Sequence, residues 1–497
     1  MSKIRYLVLV WAMVNCTGSD QEEIHNDAFS RELTILQDYF HVPGISVIIR
    51  QDGQTIYEEY YGFANAALGE PMDSLTMIPM ASLTKIFSGI LIMKLVEEGR
   101  LSLGEPINKY VNDQIIADSI KIKHVLSHTS QGAVGAHFYY SSRFRWLTNV
   151  IEREYEMPFE QAMQDKIIGP LNLKNTFLLK DSSQLMRKNR KVAQPYLYEG
   201  NLKNGFIDFG TSAAAGVVST VRDLAKLSEA MDKNVLITNH SKTAMFSPFR
   251  RNLPYGYGIF TQNFRGVQLI WGYGQYDCYS SLFLKVPERN ITLVMAANNN
   301  LLSDPARLIY GDVTYSLFAL SFLKNYVMAL PDVPLLETDQ TLSTLINRID
   351  TSNYDFYRQK LIAQSLAESY LVMYDVGRVE QSKRLLSQVF ERFPDVDQYG
   401  DLTLLHNLSF LKDVAAHSGQ NDFTTFDAQL KSIGLRLTAD DRTDPYANCY
   451  LANYYLIKRD MDSTRIYYDR ILTAGNFSKN WYTVEADSWM KKQKRPK

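Results

Sequence analysis

Alternation and helical spacing divide the chain into two parts. Near the start, Gly44-Ile45-Ser46-Val47-Ile48-Ile49-Arg50 is an apolar, β-branched run that reads as a strand. Gln51-Asp52-Gly53 is a turn, and Thr55-Ile56-Tyr57-Glu58-Glu59-Tyr60-Tyr61 is the returning strand; an Asp-Gly between two such runs signals a hairpin. Leu83 to Glu98 carries apolar residues at helical spacing and closes on Gly99. Ser281–Val286 and Ile291–Ala296, either side of a turn containing Pro287, predict a second hairpin. Strands at both ends of a helical middle predict an α+β domain over about residues 26–330, with an antiparallel sheet that gathers both ends of the segment. From about Pro331 strand signals stop and amphipathic spacing takes over, predicting an all-α region over residues 340–497.

The helical region contains a loose internal match. Ser369 to Phe393 resembles Cys449 to Leu472, with Tyr370 and Tyr374 corresponding to Tyr450 and Tyr454. The separation, about 80 residues, fits two helix pairs of the tetratricopeptide kind, and an irregular bundle fits the pattern as well. If it is a repeat array, its concave face is a candidate site for a protein partner.

The first residues predict export. Lys3 and Arg5 precede an apolar run from Tyr6 to Val14, and Cys16 follows. The run is shorter than the roughly 20 residues a membrane-crossing helix needs. A cysteine there resembles a bacterial lipoprotein site, with Cys16 carrying the lipid; Asn15, where a small residue is usual, is a departure. Residues 1–16 are therefore expected to be an export signal of lipoprotein type, placing the protein in the bacterial cell envelope (periplasm or outer membrane), held to the membrane through its lipid. Only Cys278 and Cys449 would remain, far apart in sequence, so no disulfide framework is expected.

Composition narrows the class. Hydrophobic residues make up 45% and charged residues 22% of 497, as in ordinary globular chains, and the length calls for two folded units or more. A formal net charge of -1 argues against a broad nucleic-acid surface, which needs concentrated Lys and Arg. His124 and His128 are spaced i,i+4, but no Glu follows His124 and no third ligand is near, so packing or hydrogen bonding is the better reading and no metal is expected.

The chemistry sits at Ser82-Leu83-Thr84-Lys85. The same S-x-x-K spacing occurs at Ser321/Lys324, Ser409/Lys412 and Ser488/Lys491, so spacing alone decides nothing. The first differs by opening an apolar helix after the loop Met77-Ile78-Pro79-Met80-Ala81. A serine there meets free amides and the positive helix end, which favour developing negative charge. Lys85 lies one turn along on the same face, and a desolvated lysine can accept the serine proton.

The surrounding residues resemble the β-lactamase-related serine hydrolases, the family of class C β-lactamases, D-Ala-D-Ala carboxypeptidases and family VIII esterases. The resemblance is carried by Met80–Lys85 with Leu95–Leu103, by Ile122–Ser130, by Gly169–Thr176 and by Ala215–Leu224, in order over roughly residues 30–300. It implies the serine β-lactamase/penicillin-binding-protein-like fold, an antiparallel sheet flanked by helices plus an all-helical subdomain. It also implies Ser82 as nucleophile, Lys85 as its activating partner and no organic cofactor.

Two positions depart from the family pattern. Where the family has Tyr-x-Asn, this chain has Tyr140-Ser141-Ser142: Tyr140 takes the proton-relay place, with Tyr139 a close competitor, and Ser142 replaces the amide that contacts substrate. The third motif falls on Gly272-Tyr273-Gly274, so Gly272 stands where a Lys or His is usual and the anchor for a substrate carboxylate is missing. The backbone amides of Ser82 and Gln275 would form the oxyanion hole, with Ser142, Gly272, Tyr273 and Gly274 lining the substrate site.

The resemblance implies acyl transfer from an amide or ester, with small molecules or cell-wall-derived peptides as substrates. Two other readings remain: an esterase of the same fold, and a catalytically weakened sensor or scaffold whose helical region binds a protein partner.

Overall fold

The computed structural model describes residues 17–111, 116–186, 190–393, 398–417, 426–474 and 476–493. The export segment and Cys16 lie outside the described residues. After helix α1 (Thr17–Tyr39), the predicted hairpin forms as β1 (Gly44–Gln51) and β2 (Gln54–Asn65), and β3 (Glu70–Pro71) adds an edge. The sheet is completed by β4 (Phe260–Phe264), β5 (Val267–Gln275), β6 (Ser280–Val286) and β7 (Ile291–Ala297). Its order is β3-β2-β1-β7-β6-β5-β4. The join between the two ends of the segment is the β1–β7 ladder, antiparallel from Ile45 opposite Ala297 to Gln51 opposite Ile291.

The central strands are apolar at almost every position because both faces of the sheet are covered. Ile45, Val47 and Ile49 share one core with Leu282, Leu284, Leu293 and Met295, closed by α1. The alternate residues Ile48, Phe283, Val294 and Ala296 share the opposite core with helix α2 (Thr84–Glu97) and the helical middle of the domain. Helix α2 is apolar all round, with Ile86, Phe87, Ile90, Leu91 and Ile92 buried, as expected of a helix running through a core.

The all-α region follows: α4 (Tyr354–Leu371), α5 (Arg378–Arg392), α6 (Gln398–His417), α7 (Asp427–Asp440), α8 (Pro445–Ile457), α9 (Met461–Thr473) and α10 (Trp481–Gln493), where α3 is the earlier Val221–Asp232. The two segments that match in sequence fall differently on the helices. Ser369–Phe393 takes in only the end of α4 before α5, whereas Cys449–Leu472 takes in most of α8 and α9, so Tyr374 lies in the turn after α4 while Tyr454 lies inside α8. The region packs on the first domain through shared cores. Phe356, Ala363, Ala367 and Tyr370 join the core on the α1 side of the sheet, while Tyr139, Tyr310 and Tyr315 of the first domain join the helical core. The connecting segment is fixed by Glu337, fully buried, which pairs with Lys360 at 2.5 Å and Arg348 at 2.8 Å.

Candidate active site

The predicted helix start is not a plain one. A 3-10 turn, Ala81–Leu83, precedes α2, and Ala81 is held at φ 46°, a left-handed conformation costly for a residue with a Cβ. The turn is over-determined on both sides. Met80 N–H donates to the Val217 carbonyl at 2.8 Å, and Ser281 Oγ donates to the Met80 carbonyl at 3.0 Å. Thr84 Oγ1 donates to the Ala81 carbonyl at 2.7 Å and accepts from Val217 N–H at 3.1 Å. These bonds leave the Ser82 side chain half-buried in the lining of a cleft.

Lys85 lies one turn along, its Nζ 2.8 Å from Ser82 Oγ and 3.1 Å from the Ala214 carbonyl. It is 4% exposed, with the rings of Tyr140 and Phe144 at 4.9 and 5.5 Å from the nitrogen. No carboxylate pairs with it among the described residues, so burial acts unopposed and pushes its pKa down to about 7. Near neutrality a large share of Lys85 is therefore an amine with a lone pair beside the Ser82 hydroxyl.

Tyr140 and Tyr139 face opposite ways. Tyr140 lines the cleft and hydrogen-bonds Ser82 through its hydroxyl; burial raises its pKa, which keeps it protonated. Tyr139 points into the helical region, donating to Asp441 and packing on Phe477. The ring of His128 is the platform beneath Tyr140, stacked at 4.3 Å, with Nδ1 accepting the Ser141 N–H at 2.9 Å. Burial and nearby Lys85 hold its pKa well below the usual value, so it serves as a neutral spacer. His124 sits apart, accepting the Lys121 N–H at 3.1 Å. Ser142 is not brought into the site: it is exposed at the head of a 3-10 turn and is not among the residues lining the cleft, while Ser141 is buried as the cap of that turn.

The third motif lies on β5, beside the Ser82 turn. Gly274 is needed there, because a Cβ would collide with the Met80 carbonyl and Ser281 Oγ. Tyr276 N–H donates to the Tyr279 carbonyl at 2.9 Å, so by antiparallel alternation Gln275, opposite Ser280, directs its N–H away from β6. The neighbouring β4 pairs only as far as Trp271, which leaves that amide on an open edge. Gln275 and Tyr273 line the cleft with Ser82. Gly272 does not: a Cβ there would meet Leu83 Cδ2 at 3.1 Å and Ile86 Cδ1 at 3.2 Å, tight contacts with aliphatic side chains.

The remaining wall carries charge that the sequence reading missed. Asp208, Asp277, Asp304 and Arg307 line the same cleft, and burial together with Asp277 raises the Asp208 pKa. Arg307 Nη1 donates to Asp304 Oδ1 at 2.9 Å. Three carboxylates against one guanidinium give the cleft a negative balance. Among the described residues, no group of three or more His, Cys, Asp or Glu is placed to hold a metal ion.

Comparison with known proteins bears on this geometry. The family model described as Beta-lactamase matches residues 34–312. The chain is similar to Protein flp of Staphylococcus aureus (strain MW2), 26% identical over 307 residues, covering 52% of this chain and 60% of that protein. It is also similar to the unguisins hydrolase ungD' of Aspergillus campestris, 21% identical over 354 residues, covering 59% of this chain and 65% of that one. The match thus spans less than two thirds of either relative. Among solved structures, the octameric penicillin-binding protein homologue from Pyrococcus abyssi superposes with a TM-score of 0.53 at 21% identity, covering 68% of this chain and 81% of that one, a likeness of fold.

Proposed function

The chain belongs to the Beta-lactamase family, and on that premise we propose that it is a serine hydrolase working by acyl transfer on an amide or ester. The observation that carries the reading is the Ser82–Lys85 pair at 2.8 Å, with Lys85 driven by burial toward its neutral form. In the first step Ser82 Oγ attacks the carbonyl carbon while its proton passes to Lys85 Nζ. Tyr140, kept protonated and hydrogen-bonded to Ser82, delivers a proton to the leaving nitrogen or oxygen and is recharged from Lys85. The amides of Ser82 and Gln275 receive the oxyanion, and water then attacks the acyl-enzyme by the reverse proton route.

The cleft's charge supports a substrate class. With no cation at Gly272 and with Asp208, Asp277 and Asp304 around Ser82, acyl donors that are neutral or carry an amine are favoured over those bearing a carboxylate. This favours an esterase or amidase over a penicillin-cleaving enzyme, with cell-wall-derived peptides still among the candidate substrates. The basic and apolar segment before Cys16 supports export and lipid anchoring in the cell envelope.

The test is intact-protein mass spectrometry after exposure to a neutral fluorophosphonate and, separately, a penicillin, with Ser82→Ala as control. An adduct on the wild type alone, formed at least about tenfold faster with the phosphonate, is expected. No adduct in folded protein, or one retained by Ser82→Ala, refutes the hydrolase. Faster labelling by penicillin refutes the substrate class.

A further inference from the structure

Arg307 is an unusual wall residue. It lies at φ 48°, in the left-handed region, between two short 3-10 turns that place its side chain in the cleft. Its guanidinium is only partly used by the protein. Nη1 gives one hydrogen to Asp304, Nε gives its hydrogen to His406 Nε2 at 2.9 Å, and Nη2 has no protein partner among the described residues. The side chain is 27% exposed. A guanidinium with donors left over, lining the same cleft as the nucleophile, is a ready donor for an oxygen of bound substrate.

Both members of the Asp304–Arg307 pair are held by the helical region. Tyr370 on α4 donates to Asp304 Oδ2 at 2.7 Å. His406 on α6 takes the Arg307 hydrogen, and that contact fixes its tautomer. Nε2 must accept, so the neutral ring carries its hydrogen on Nδ1 and donates to Tyr450 Oη at 2.6 Å. Tyr450 on α8 is then free to donate to Tyr310 Oη at 2.9 Å, back in the first domain. A protonated His406 would turn an N–H toward the guanidinium and break the chain; burial and Arg307 keep its pKa well below the usual value.

We propose that Arg307 is a specificity-determining donor for a second carbonyl oxygen of the acyl donor, and that His406 and Tyr370 are its positioning residues, so that the helical region completes the active site. The inference rests on the serine-hydrolase reading and adds what the substrate carries beyond its scissile bond. Because Arg307 is already neutralised by Asp304, the partner it suits is an uncharged amide carbonyl.

Two probes separate the roles. p-Nitrophenyl acetate offers only the scissile carbonyl, whereas the p-nitrophenyl ester of N-acetylglycine adds one amide carbonyl. His406→Leu and Tyr370→Phe are each expected to raise KM for the N-acetylglycyl ester about tenfold, with kcat within about twofold. Neither is expected to change kcat/KM for the acetate or the rate of fluorophosphonate labelling. His406→Gln, whose amide oxygen can take the Arg307 hydrogen, is expected to restore KM. Unchanged KM in both variants, equal losses on both esters, or a wild type that gains nothing from the added carbonyl overturns the inference while leaving the nucleophile intact. A wild type that neither labels nor turns over overturns the hydrolase reading and the inference with it.

Discussion

Replacing Lys85 by Met should remove activity and, at neutral pH, stabilise the protein. The structure supplies the magnitude. An unfolded chain holds the lysine proton up to its ordinary value of 10.5, whereas the folded chain releases it at about 7. Between those values the unfolded state binds more protons, so the stability this group contributes rises with pH across that window and is flat below it. Relative to a side chain that does not titrate, Lys85 costs the fold about 4 kcal/mol at pH 7 and about 1 kcal/mol at pH 9.5. The bonds to Ser82 and the Ala214 carbonyl are lost in the variant at both values, and that loss cancels when the two are compared. Urea unfolding of wild type and Lys85→Met at pH 7 and pH 9.5 should therefore show the variant's relative stability about 3 kcal/mol greater at the lower pH, and acylation should fall about 10³-fold. A stability difference that is the same at both pH values refutes the buried, neutral amine, and with it the base assigned to Ser82.

Two further outcomes follow from the same geometry. Tyr140→Phe keeps the ring stacked on His128 but removes the hydroxyl that meets Ser82, so kcat for an amide should fall about 10²-fold with KM nearly unchanged, measured by steady-state kinetics. Gly272→Lys restores the usual family cation on paper, yet its Cβ would press on Leu83 and Ile86; a thermal melt should show a loss of about 1–3 kcal/mol, with no gain in penicillin labelling.

Much of the fold was legible because its signals are local. The strands Gly44–Gln51 and Ser280–Val286 are apolar runs bounded by turn residues, and the sheet that joins the segment's ends followed from where such runs lie. Ser82 and Lys85 could be paired because one helical turn fixes their separation. Position along β5 placed Gln275 at the cleft by counting. Where a side chain's surroundings come from elsewhere, the sequence carried no signal. Tyr139 and Tyr140 are indistinguishable until the helical region supplies Asp441 for one and the cleft Ser82 for the other. Ser142 reads as a cleft residue by motif, but the 3-10 turn it opens leaves it exposed outside the cleft's lining. Arg307 has no motif, and its partner His406 lies 99 residues away.

The central claim is a covalent acyl-enzyme on Ser82. Turnover of p-nitrophenyl acetate quenched in acid, digested and read by mass spectrometry should find the acetyl group on the peptide carrying Ser82 and Lys85, and nowhere on the Ser82→Ala protein. Hydrolysis that proceeds equally well in Ser82→Ala, or an acetyl group that resides on another residue during turnover, would contradict the account.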